Sequence, residues 1–272
     1  MVNVAQASHH VQDAKCFDLP FGWRIDIPQP PPIFGVQFQI TKFMVLELVV
    51  AVAMMVIFIS LARRIAGGRP PRGRVWNMFE MVLVFIRDDM ARPAIGHHEA
   101  DRFLPYLWTA FFFILFCNLI GLVPWTGSPT GALAVTGTLA GIAFCISVGA
   151  GMLKLGPVGF FLGQIPRMEL PLLLAIFLKP MILVIEVLGL CIKHTILAVR
   201  LLANMFAGHL VVAVVVGFIA ATAHSWLWYG VMPASVLGAA ALSVLEILVA
   251  FLQAYIFTFL SALFIGMVLH AH

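Results

Sequence analysis

The stretch Ile196–Val212, ILAVRLLANMFAGHLVV, decides how this chain is to be read. It lies inside an apolar run long enough to cross a bilayer, yet it contains Arg200, Asn204 and His209. A charged side chain is costly in the hydrocarbon layer, so an arginine there is expected to face protein, water or a partner carboxylate. Arg200 and Asn204 are four residues apart and share a helical face, so the amide can hold or screen the guanidinium. His209 is nine residues beyond Arg200, about 900° of rotation at roughly 100° per residue, and points to the opposite side. One face thus offers a permanent cation and the other a titratable imidazole. Ala203, Ala207 and Gly208 are small enough to let another helix come close.

The surrounding composition agrees with a membrane setting. Of 272 residues, 62% are hydrophobic and only 10% charged, too few charges to cover a soluble domain. The net charge of +4 does not form a soluble basic face, which argues against nucleic acid as a partner. Cys16, Cys117, Cys145 and Cys191 are widely spaced and match neither a disulfide framework nor a zinc pattern. Residues 1–24 lack the apolar core of a cleaved signal peptide, so the first membrane helix is expected to direct insertion. The expected fold class is an all-α polytopic membrane protein with five or six membrane helices. Two of these are long, strongly tilted and packed antiparallel, and an amphipathic helix lies at the interface.

In chain order, residues 1–42 form an extracytoplasmic segment, expected to be extended and irregular because Pro28, Pro30, Pro31 and Pro32 crowd together. His9 and His10 are adjacent, do not share a helical face, and have no cysteine nearby to complete a metal site. Residues 43–62 give one membrane span. Arg63, Arg64, Arg69, Arg72 and Arg74 then open a cytoplasmic region, residues 63–102, under the positive-inside rule. Within it, Val75–Met90 alternates apolar and charged residues as an amphipathic interfacial helix would. His97-His98-Glu99-Ala100-Asp101 resembles a metal cluster but lacks the i, i+4 histidine spacing of a helical zinc site, and its charges would equally start the next helix. Residues 103–153 supply a membrane hairpin, Phe103–Pro124 and Gly131–Leu153. A cytoplasmic loop at 154–169, flanked by Lys154 and Arg167, leads to a tilted helical hairpin at 170–272.

That last region embeds Glu186, Lys193, His194, Arg200, His209 and Glu246 in apolar sequence, a density that points to a hydrated path through the membrane. Glu186, Lys193 and Arg200 recur every seven residues and would line one stripe of a continuous helix. Lys193 and His194 could instead cap a break near the interface. The run Ala234–Leu269 would be about 54 Å long as one helix, against a hydrocarbon thickness of roughly 30 Å, so it must break or tilt. Facing residues of an antiparallel helix pair keep a nearly constant sum of residue numbers. Arg200 with Gln253 gives 453 and His209 with Glu246 gives 455, one register for both polar pairs.

At LAVRLLANMFAGHL, followed by LEILVAFLQAYIFTFL at 245–260, the sequence resembles subunit a of the rotary F-type ATP synthase, the membrane-sector stator subunit. The likeness continues through FCNLIGLVP at 116–124 and the Glu186 segment. By that resemblance Arg200 is the family's essential arginine, Asn204 the asparagine one turn later and Gln253 the glutamine opposite. His209 and Glu246 fill two positions where the family places an acid and a histidine in either order, and Glu186 matches an acidic position. Two departures stand out: His194 replaces a proline of some relatives, and Gly121 replaces an aspartate of some bacterial ones, so no polar role is assigned to the asparagine motif.

The resemblance implies two half-channels that load and unload protons on carboxylates of a c-subunit ring. It further implies peripheral stalk b subunits as partners, no cofactor, no metal and no nucleotide site in this chain. A bacterial inner membrane is the expected location, with the mitochondrial inner membrane as the alternative. A stand-alone proton-coupled transporter is the competing function, but it would carry an internal repeat that is not evident here. A membrane metalloenzyme using His97, His98 and His209 lacks any comparable ligand spacing.

Overall fold

The computed structural model describes residues 14, 16–18, 24–29, 39–66, 73–123, 126–163, 172–223 and 225–270. His9, His10, Pro30–Pro32, Arg69, Arg72 and Arg167 lie outside them. Helix dominates, as the composition requires. The elements are α1 (Lys42–Ala66), α2 (Arg74–Phe85), α3 (Arg92–Ile95), α4 (His97–Gly121), α5 (Leu133–Leu155), α6 (Pro157–Gly163), α7 (Leu172–Thr222) and α8 (Trp228–Leu269). Five of them, α1, α4, α5, α7 and α8, are long and apolar enough to cross a membrane. In a bilayer every backbone polar group must be paired internally, which is why the spans are helical.

Two expectations about regular structure are corrected, one in residues 63–102 and one in the amino-terminal segment. The latter is not wholly irregular: β1 (Cys16–Asp18) and β2 (Arg24–Asp26) pair antiparallel, with Phe17 opposite Ile25. The Lys42 amide donates to the Ala14 carbonyl, and Gln29 clamps both backbone groups of Ile40, which ties this segment to the start of α1. The amphipathic helix does not continue to Met90 as an α-helix. Beyond α2 the chain widens into a π-helical stretch, Ile86–Ala91, and tightens again at α3. The loop after α5 likewise contains a short helix, α6.

Contacts group the chain into two compact units. The first comprises Met1–Pro70, Phe112–Thr136 and Arg200–Ala254. Here Phe58 of α1 meets Phe112 of α4 edge-on at 4.8 Å, and α1 packs on the 3-10 turn Pro129–Gly131 that follows α4. α7 and α8 run antiparallel. Gly208 faces Glu246 and Val215 faces Gly238, pairs whose numbers add to 454 and 453, the register expected from the polar pairs. 

The second unit comprises Pro71–Phe111, Gly137–Val199 and Tyr255–His272. Its core joins Phe160, Leu190 and Val268, flanked by Phe144, Val148 and Met152. Gly266 lies so close to α3 that a Cβ would collide with the Ala94 carbonyl oxygen. Trp108 donates its indole N–H to the Leu83 carbonyl, fastening α4 to α2. In the π-helical stretch Asp88 receives both Arg87, at 2.9 and 3.0 Å, and Arg92, at 2.7 Å. The Arg87 hydrogen bond holds the Asp88 carboxyl below its usual range.

Neither long helix is interrupted where the sequence left room for a break. α7 has 51 residues and α8 has 42, about 77 and 63 Å at roughly 1.5 Å per residue, so neither fits upright in about 30 Å of hydrocarbon. Lys193 and His194 therefore do not cap a break. The helix runs through both residues unbroken. The His194 side chain is 3% exposed, held between the rings of Phe144 and Phe264, with Nδ1 2.9 Å from the Leu190 carbonyl.

Candidate functional site

Arg200, Asn204 and His209 on α7 and Glu246 and Gln253 on α8 all fall in the first unit. Glu186 is on α7 but in the second unit, and its side chain is exposed. With α7 continuous, Glu186, Lys193 and Arg200 do share a stripe, and all three are exposed.

Arg200 stands beside exposed Ile196 and Val199. Among the described residues no carboxylate pairs with it and no hydrogen bond reaches it, so the expected support from Asn204 is not made within the chain. The following residues turn inward: Leu201 and Met205 are buried, Asn204 is half-buried and its Nδ2 has no partner among the described residues. Gln253 is 4% exposed, and its Nε2 too is without a partner there. The site thus separates an exposed cation from two enclosed amides one helical register away.

His209 and Glu246 are brought to neighbouring levels but not into a hydrogen bond. The Glu246 carboxylate lies over Gly208: a Cβ on that glycine would stand 2.5 Å from Oε1. Of the three small residues expected to admit another helix, Gly208 does so for Glu246, whereas Ala203 and Ala207 are exposed. The His209 ring is half-buried and its Nε2 has no partner among the described residues. An imidazole and a carboxylate at neighbouring levels are a complementary acceptor and donor for a proton.

Sequence reading missed a buried polar cluster behind α8. Asn118 of α4, Ser128 and Thr130 are 0–1% exposed. Thr130 donates to Asn118 Oδ1 at 2.6 Å, Ser128 Oγ stands 2.7 Å from Thr130 Oγ1, and Asn118 Nδ2 reaches the Ala250 carbonyl at 3.4 Å. Ala250 is one turn after Glu246 and three residues before Gln253, so the cluster holds α8 at the level of both. Gly121 makes this possible, since a Cβ there would collide with Ser128. The polar role withheld from the asparagine motif is therefore corrected. The only signal was an asparagine late in a span followed by the hydroxyls of Ser128 and Thr130 between the two spans of the hairpin. Replacing Thr130 by valine, which keeps the shape but orphans Asn118 Oδ1, should destabilise the protein by about 1–3 kcal/mol. Thermal unfolding in detergent measures this, and Thr130→Ser should recover most of the loss.

The cluster at His97–Asp101 opens α4, and among the described residues no group of three or more histidines, cysteines or acids could hold a metal. Cys117, Cys145 and Cys191 are free thiols.

Comparison with known proteins adds an independent line. The family model described as ATP synthase A chain matches residues 44–266. ATP synthase subunit a of Chloroherpeton thalassium is 40% identical over 265 residues, 96% of this chain and 75% of the relative. That of Myxococcus xanthus is 41% identical over 229 residues, 84% and 72% of the two chains. ATP synthase subunit a 2 of Chlorobium luteolum is 39% identical over 264 residues, 95% and 74%.

Proposed function

Because this chain belongs to the ATP synthase subunit a family and is a proton-translocating stator subunit of an F-type ATP synthase, we propose that Arg200, Asn204, His209, Glu246, Gln253 and Glu186 carry its proton path. It is a bacterial multi-pass membrane protein that works with other ATP synthase subunits, and the stand-alone transporter is not favoured. We place it in the bacterial inner membrane, with its amino terminus outside.

Protons enter from the outside through a half-channel at His209 and Glu246 and pass to a carboxylate on a ring of c subunits. The ring carries them round to a second half-channel toward the cytoplasm, to which Glu186 contributes. The b subunits of the peripheral stalk hold the chain still. The observation that carries this reading is Arg200, a permanent cation on an apolar exposed face with no counter-ion among the described residues. Such a charge in a membrane is paired or functional. A ring carboxylate arriving beside it is favoured in its ionised form, so it releases its proton before it passes. The same charge repels a hydrated proton and blocks a direct leak. Asn204 and Gln253, whose amide nitrogens are enclosed behind that face, give the path polar support.

A cysteine replacing exposed Val199 should form an oxidative cross-link to a cysteine placed beside the carboxylate of the ring subunit in the assembled complex. If that pair stays unlinked while a control pair elsewhere on the ring surface reacts, the ring does not run past this face.

A further inference from the structure

In the second unit the start of α4 and the end of α5 leave a cavity of about 530 Å3 whose lining is of two kinds. Its apolar part is formed by Phe103, Ile146 and Leu153, with open space beside Gly149, where a Cβ would meet nothing within 4 Å. Its basic part is His98, Arg102 and Lys154. Lys154 Nζ is 2.7 Å from Glu99, so these two charges cancel across the rim and also tie α4 to α5. Asp101, the other acid nearby, is drawn toward Arg92 at 3.9 Å. Arg102 has no ion pair or hydrogen bond among the described residues. The cavity therefore keeps one unbalanced permanent cation next to an apolar trough.

We propose that this cavity holds a membrane phospholipid of net negative headgroup, its phosphate on the Arg102 guanidinium and one acyl chain along Phe103, Ile146 and Leu153. The volume falls within the range of small-molecule sites, roughly 300–1,000 Å3. Basic pockets between membrane helices near the interface suit anionic headgroups, and arginine grips a phosphate bidentately. Free phosphate would satisfy Arg102 but leave the apolar part in water. A zwitterionic headgroup gains less, because the acid that would take its ammonium, Glu99, is already engaged by Lys154. The site is separate from the proton path and does not depend on it.

The test uses the complete ATP synthase complex, purified with the unaltered chain or with Arg102→Gln, Arg102→Lys or Gly149→Phe. After exhaustive detergent exchange, retained lipid is measured by mass spectrometry. Each complex is then reloaded with phosphatidylglycerol, phosphatidylcholine or inorganic phosphate. The unaltered complex is expected to retain the anionic lipid. Arg102→Gln should retain it about tenfold less, the loss of one charge-assisted contact. Arg102→Lys should fall between, and Gly149→Phe, which fills the trough and leaves the cation, should lose it as well. Equal retention by all four complexes overturns the proposal. So does retention of phosphatidylcholine as strong as phosphatidylglycerol, or displacement of the lipid by inorganic phosphate. If Arg102→Gln fails to assemble, the Gly149→Phe comparison decides.

Discussion

Membrane vesicles carrying the assembled complex with Arg200→Ala should show no ATP-driven acidification, while subunit composition is unchanged. The reason lies in the isolation of the guanidinium. Nothing among the described residues neutralises Arg200, so its charge is available to a mobile carboxylate. With alanine there, an arriving carboxylic acid has no incentive to ionise, and it passes the barrier still carrying its proton. Rotation then moves no net charge between the half-channels. Each proton lost across 100 mV forfeits about 2.3 kcal/mol of driving force, so even a partial short circuit uncouples the machine. Lysine should restore only a fraction of the rate, because a compact ammonium lacks the planar fork that matches a carboxylate. The measurement is fluorescence quenching of a pH-sensitive dye, with ATP for pumping and an imposed gradient for passive leak. Normal coupled pumping by the alanine variant would remove Arg200 from the mechanism.

The second large effect concerns His209 and Glu246. His209→Glu or Glu246→His alone should each cut the pumping rate by about a hundredfold, the scale of losing a proton donor or acceptor from a relay. The first puts two acids side by side and the second two imidazoles, so neither keeps the complementary pair. Combining them restores one acid and one imidazole at the same two levels and should recover about tenfold over either single change. Gly208 matters to this experiment. The carboxylate now lies over its missing Cβ, and an imidazole on residue 246 has the same open space to enter. A double variant no better than the singles would mean that the two residues act separately. The comparison is a double-mutant cycle and isolates the coupling as long as all four proteins assemble equally.

How far the primary structure reached can be judged on α7 and α8. The apolar runs led to an expectation of five or six membrane helices, and five are long and apolar enough, because burial in hydrocarbon leaves the backbone no alternative to internal hydrogen bonds. The register of the last two helices was also readable. Polar residues in an apolar run mark faces that are expected to meet one another, and the register of 453 to 455 reappears in Gly208 facing Glu246 and Val215 facing Gly238, at 454 and 453. Helical periodicity is local arithmetic, so a string of residues carries it.

Other features came only from tertiary packing. His194 could be read as part of a polar path or as an interfacial cap, and its burial between Phe144 and Phe264 depends on two residues about 50 and 70 positions away. Asn118, Ser128 and Thr130 became a buried cluster because Gly121 lets the turn fold back onto α4, a matter of one absent methyl group. Arg200 and Asn204, four apart, could have bonded, yet the helix carries one outward and turns the other inward without joining them. Pattern and composition determined that this chain is built of helices able to cross a membrane, with an arginine embedded in one of the longest. Which polar atoms meet, and which are left for a partner, was decided by ångström-scale fit between helices, and that fit exists only once the chain has packed.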